Sequence, residues 1–154
     1  MGSGPDSLKR VAFFYATFPR PTETFVRREL RAISELGLNP TLFSIWRGNK
    51  NWQGQKIEKF QLSKLLSLIF WLPYWAFKRP QSFREVLLAL WHRPCPNLQD
   101  WNETFLGLGF ALVEAQNIKS KNFQILHAVW ATMPATAAFT VSKLIDVPFS
   151  MGAH

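Results

Sequence analysis

The sequence predicts an α/β domain: a parallel sheet with a helical insertion between its second and third strands. Three features carry that reading. Val11-Ala12-Phe13-Phe14-Tyr15-Ala16 is a continuous apolar run, as expected of a strand buried on both faces. A helix-period segment and a second strand-like run follow closely, so strand, helix and strand form a βαβ unit. The stretch from 60 to 115 then lacks period-two alternation and reads as helical.

Taken in order, residues 1–10 read as a flexible tail and 11–154 as the domain. Met1 to Asp6 are small and polar and lack the apolar stretch of a signal peptide. After the first strand, Val26, Leu30 and Ile33 fall at i, i+4 and i+7, one face of a helix, and Gly37 is placed to cap its carboxyl end. Thr41 to Trp46 reads as the second strand, and "RGNKNWQGQK", residues 47 to 56, as a polar loop. The helical insertion is expected over 57–115. Its first part, "FQLSKLLSLIFWLPYWAFKRP", is mostly apolar, but Lys64 interrupts it early and Pro73 is expected to break its helix late. What remains falls short of the roughly 20 apolar residues that cross a bilayer. "SFREVLLALWHRP" and "WNETFLGLGFALVEAQNIK" read as further helices. "FQILHAV", residues 123 to 129, returns to the sheet. "TMPATAAFTVSKLI" is a helix with Thr132 as its N-cap and Pro134 in its first turn. "VPFSMGAH" opens a further strand.

Composition narrows the function classes. With 154 residues, 47% hydrophobic and 18% charged, the chain has enough apolar material for one ordinary core and is not of a disordered class. A net charge of +8 suits an anionic partner. Nucleic acid fits poorly, because the aromatics gather in apolar runs instead of alternating with basic residues. Arg27, Arg28 and Arg31 form a basic helical face of the solvated kind. A lone cysteine, Cys95, excludes an internal disulfide, and with His92 and Asp100 it makes no zinc pattern. Gly107 and Gly109 sit in an apolar helical stretch, not in a phosphate-cradling loop. No metal and no cofactor are expected.

In an open α/β sheet, ligands bind beyond the carboxyl ends of the strands, where helix amino termini offer free N–H groups and partial positive charge. "FPRPTETF" lies at that end of the first strand. Arg20 would add a fixed charge there, and Thr22 and Thr24 would cap the helix or bond a ligand. The plainer reading is that Pro19 and Pro21 stiffen a turn and Thr22 caps the helix.

"FPRPTETFVRREL", "ILHAVWATMPATAAFTVSKL" and "VPFSMGAH", in that order, resemble the amino-terminal half of a retaining glycosyltransferase of the GT-B fold. They look most like bacterial enzymes of exopolysaccharide, colanic-acid and lipopolysaccharide assembly. Those enzymes carry a Phe-Pro-x-x-(Ser/Thr)-Glu-Thr-Phe segment, a His-Ala-x-(Phe/Trp)-(Ala/Gly) strand end, a Pro-Ala-Thr helix and a closing Ala-His pair. The resemblance implies a Rossmann-like half-domain that holds the acceptor, saccharide or lipid-linked, across a cleft from a nucleotide-sugar domain. Arg20, Thr22, Glu23, Thr24, Trp130 and Thr132 would then bind substrate, and His154 would be the catalytic residue beside the reacting sugar. The chain departs from the pattern at His127, which is followed by Ala128 and Val129 and not by a second histidine, so it reads as a packing residue. Its residues stop at His154, before the nucleotide-sugar half that the resemblance implies, so the donor half is expected to be missing. Alone it is expected not to transfer sugar, and association with a partner domain or with itself is expected. The alternatives are an acceptor- or membrane-binding subunit of a split transferase, or a truncated gene product.

Residues 60 to 79, with Trp and Tyr near one end and lysines at both, suit an element lying in the headgroup layer of an anionic membrane surface. Phe70, Trp71, Tyr74 and Trp75 are the expected contacts. The chain is expected to be cytoplasmic and peripheral on the inner face of the membrane.

Overall fold

A computed structural model describes residues 10–18, 24–37, 40–48, 51–52, 55–130 and 132–152. Its centre is a six-stranded sheet in the order β3-β4-β2-β1-β5-β6. The strands are β1 (Val11–Phe18), β2 (Thr41–Gly48), β3 (Asn51–Trp52), β4 (Gln55–Lys59), β5 (Ile125–Ala128) and β6 (Phe149–Met151). Five are parallel, and β3 folds back antiparallel on β4. Counting only the parallel strands, the order is 3-2-1-4-5. The chain winds outward from β1 on one side, then crosses to the other, as in Rossmann-like half-domains.

The helices are α1 (Thr24–Glu35), α2 (Leu68–Lys78), α3 (Pro80–Trp91), α4 (Leu98–Ser120) and α5 (Met133–Ile145), with a 3-10 segment at Leu62–Ser67 before α2. The pleat of β1 divides the core. Phe13 and Tyr15 face α1 and meet its Val26 and Leu30 together with Leu42 and Ile57. Ala12 and Phe14 face α4 and α5. On that side Phe14 and Phe43 meet Phe110 edge-on at ring separations of 5.7 and 6.3 Å.

α4 lies between the sheet and α2, and this explains its sequence. From Gly109 to Ala115 every residue is buried, as a helix covered on all sides must be. Its one acid there, Glu114, is met by Lys64 Nζ at 3.1 Å and Asn117 Nδ2 at 3.0 Å. Gly107 and Gly109 let neighbours close in. A Cβ on Gly107 would stand 2.8 Å from the Met133 carbonyl oxygen, and one on Gly109 would stand 2.7 Å from Leu65 Cδ2.

The structure revises several expectations. The sequence read as a polar loop at 47–56 contains the end of β2, β3 and the start of β4, and β4 adds a third parallel strand before any helix. The helices therefore follow the third parallel strand, not the second, and run from 62 to 120. Their short, charged predecessor "QKIEK" hid its strand character, since only Ile57 is a strong strand former. Pro73 does not break α2. It sits mid-helix, and the chain turns instead at Arg79 (φ −134°, ψ 65°), the residue that Pro80 restricts. Gly37 behaves as expected, with φ of 85° and its N–H donating to the Ser34 carbonyl.

Candidate ligand site at the strand ends

A cavity of about 930 Å3 opens where the winding reverses, between the carboxyl ends of β1 and β5. The sheet contributes Ala16 from β1 and Trp46 from β2. Trp130, just past β5, enters from the side, and Thr132 and Met133 bring in the first turn of α5. Trp130 is fixed by an edge-on contact with Phe25 of α1 at 5.9 Å. The roof is α4, which turns Asn102, Glu103 and Leu106 inward, with Gln99 one turn earlier. Leu65 and Leu68 close the far wall.

The lining has two chemistries. Leu65, Leu68 and Leu106 are aliphatic, whereas Trp46 and Trp130 bring two indoles and Gln99, Asn102 and Glu103 two amides and a carboxylate. Gln99 Nε2 donates to Glu103 Oε1 at 3.1 Å, which holds the carboxylate in place. The Asn97 side chain accepts from the Asp100 N–H at 2.9 Å and caps α4, fixing the turn that carries them. At the floor, the α5 amino terminus adds its partial positive charge.

The expected site residues divide into three groups. Trp130 and Thr132 do line the cavity. Thr132 occupies the N-cap position of α5, but its side chain makes no capping bond; its carbonyl instead accepts from Thr136 N–H at 3.1 Å. Thr24 begins α1, is exposed, and is not on the cavity wall. Arg20, Thr22, Glu23 and His154 lie outside the described residues. His127 packs as expected, its ring 4.9 Å from that of Phe13 and its Nδ1 2.8 Å from Ser150 Oγ on the neighbouring strand.

The membrane contacts expected from 60 to 79 need one correction. Trp75 is 1% exposed and its indole N–H donates to the Leu112 carbonyl at 2.9 Å. It belongs to the core and cannot touch a bilayer. Trp71 and Tyr74 are half-buried against that core, and Phe70 is exposed. Sequence reasoning passed over Trp46, Gln99, Asn102 and Glu103. The signal was present: Gln99, Asn102, Glu103 and Leu106 fall at the spacing of one helical face, where polar groups interrupt an apolar helix.

No group of three or more His, Cys, Asp or Glu residues able to hold a metal occurs among the described residues. No described helix is long and apolar enough to cross a membrane. Comparison with protein-family models, curated proteins and solved structures yields no match. Fold and site together define a Rossmann-like α/β half-domain with a cavity of mixed polar and apolar lining at its switch point.

Proposed function

We propose that this chain is the acceptor-side portion of a glycosyltransferase, acting in polysaccharide or glycolipid assembly at the cytoplasmic face of a membrane. It would hold a saccharide or lipid-linked saccharide while a separate domain or chain supplies the nucleotide-sugar. The observation that carries this reading is the chemistry of the switch-point cavity. A pyranose presents flat C–H faces and a rim of hydroxyls. Trp46 and Trp130 offer aromatic surfaces for such faces, and Gln99, Asn102 and Glu103 offer donors and acceptors for the rim. The leucines of the lining suit the first carbons of a lipid stem. The volume lies within the roughly 300–1,000 Å3 of small-molecule sites. The partial positive charge of the α5 amino terminus favours a phosphate between sugar and lipid.

Glu103 is the carboxylate of this lining, and its role would be to orient the acceptor hydroxyl, because transfer depends on presenting that oxygen in line with the donor. The test is calorimetry with a panel of octyl hexosides below their micellar concentrations. The parent is expected to bind at least one saturably. Glu103→Gln, which keeps shape and loses charge, should bind about tenfold more weakly, or 1.4 kcal/mol. A folded parent that gives no saturable heat with any hexoside removes this reading.

A further inference from the structure

We infer that the outward face of the 3-10 segment and α2, extended by α3, docks this domain on the surface of an anionic lipid bilayer. Leu66, Ile69, Phe70 and Phe77 recur at helical spacing and form one face. Leu66 is 79% exposed, Ile69 85% and Phe77 88%. α3 packs beside α2 and presents Leu88 and Trp91 outward, the latter 77% exposed. Scattered single apolar residues are ordinary on protein surfaces, but a contiguous helical face of large ones marks an interaction surface.

The charge around this face selects the occupant. Residues 59 to 93 contain six Lys or Arg and one acid, Glu85. Lys64 and Arg79 are paired with Glu114 and Asp146, and Glu85 with Lys143, so the balance left by Lys59, Lys78 and Arg84 is positive. A second copy applied face to face would set these like charges against each other, whereas an anionic headgroup layer complements them. At the carboxyl end of α2, Lys78 Nζ lies 2.8 Å from the Tyr74 hydroxyl and over its ring. The apolar stem and polar tip of such a pair match a membrane interface. α2 cannot span: its 11 residues reach about 16 Å, against a hydrocarbon core of about 30 Å. The face therefore lies in the interface plane. It also borders the cavity. Leu65 and Leu68 face the chamber while their neighbours Leu66 and Ile69 face out. A lipid-borne ligand would meet the site from the side on which the domain docks.

The docking inference does not depend on what the cavity holds. Vesicles of equal parts phosphatidylglycerol and phosphatidylcholine, and of phosphatidylcholine alone, are sedimented with the whole chain. The parent should pellet with the anionic vesicles, less so in high salt, and Ile69→Asp plus Phe77→Asp should lower its partition at least about tenfold. Both positions are exposed, so the double variant should keep the parent's circular dichroism and melting temperature. Arg28→Glu plus Arg31→Glu on α1 changes the net charge more and should bind nearly as the parent does. A parent that remains in the supernatant with anionic vesicles overturns the inference, as does a double variant that pellets equally. A dimer that forms in solution and is dissolved by Ile69→Asp plus Phe77→Asp, with no vesicle binding, assigns the face to a second copy instead. Vesicle binding without hexoside binding leaves the docking face and removes the saccharide reading. Hexoside binding without vesicle binding does the reverse.

Discussion

α1 and α2 are nearly equal in length and belong to opposite sides of one sheet, yet they treat water in opposite ways. α1 buries Val26 and Leu30 and turns Arg28, Glu29, Arg31 and Glu35 outward. That is the ordinary division of an amphipathic helix. α2 buries Trp75 alone and turns Ile69, Phe70 and Phe77 outward. The difference follows from position. α1 lies directly on the strands, so one stripe meets the core and the rest meets water. α2 lies outside α4, which already covers the sheet, so it is held by one fully buried anchor, Trp75, with Leu68, Trp71 and Tyr74 packed partly against the core. The apolar surface that Ile69, Phe70 and Phe77 leave exposed is not explained by folding, and that is why it points to a partner.

The largest test of this division removes the anchors. Trp75→Ala would take a fully buried indole from between α2 and α4 and delete its hydrogen bond to the Leu112 carbonyl. Such truncations cost about 3–5 kcal/mol. For a domain of this size that is a fall of roughly 6–20 °C in melting temperature, readable by calorimetry or dye-monitored melting. A change under about 1 kcal/mol would mean that α2 is not seated on α4. The matching change in α1, Leu30→Ala, should cost about 2–5 kcal/mol by the same cavity argument. The two helices are thus expected to be similar inside and different only outside.

How far this contrast could be read from the sequence depends on the helix. In α1 the spacing of Val26, Leu30 and Ile33 named the buried face, because charged residues filled the positions between. In α2 nearly every position is apolar, so periodicity could not tell Trp75, which is buried, from Phe77, which is not. The parallel sheet was legible from the run Val11 to Ala16 and from "ILHA". β4 was not, because a half-buried strand near an edge carries polar residues and little pattern. The cavity lies at the strand ends, and of the residues named from the resemblance Trp130 and Thr132 are on its wall. Gln99, Asn102 and Glu103 were not, since their arrival over the strand ends depends on how α4 crosses the sheet. That crossing is set by Gly107 and Gly109, whose close contacts involve residues far away in sequence.

A smaller effect tests what ties the α2 layer to α4. Lys64, in the segment leading into α2, is half-exposed, and its partner Glu114 is 10% exposed at the side chain. Glu114→Ala removes this pair and the bond from Asn117. Because the lysine can turn to water, the loss should be modest, about 0.5–1.5 kcal/mol. Raised salt should not recover it. If chemical denaturation gives a loss above about 3 kcal/mol, Lys64 behaves as a buried charge and the segment before α2 is more tightly covered in solution than a half-exposed lysine implies.

The smallest expected effect on stability is the most informative about the outer faces. Phe77 on α2 and Arg31 on α1 are both exposed helical positions, so Phe77→Ser and Arg31→Ser should each change stability by no more than about 0.5 kcal/mol beyond helix propensity. In the unfolded chain both side chains are hydrated, and in the folded domain both remain so. Serine therefore removes no burial in either case. The surfaces left behind differ. Phe77→Ser deletes the most exposed large apolar side chain of the α2 face, and the domain should bind less of a hydrophobic fluorescent dye. Arg31→Ser deletes one charge among several and should leave dye binding unchanged. Equal melting temperatures with unequal dye binding would locate the whole difference between the two helices on their solvent sides. A loss above about 1 kcal/mol for Phe77→Ser would mean that this ring is already covered in solution, and the contrast between α1 and α2 would then be one of partners already engaged, not of surfaces waiting for one.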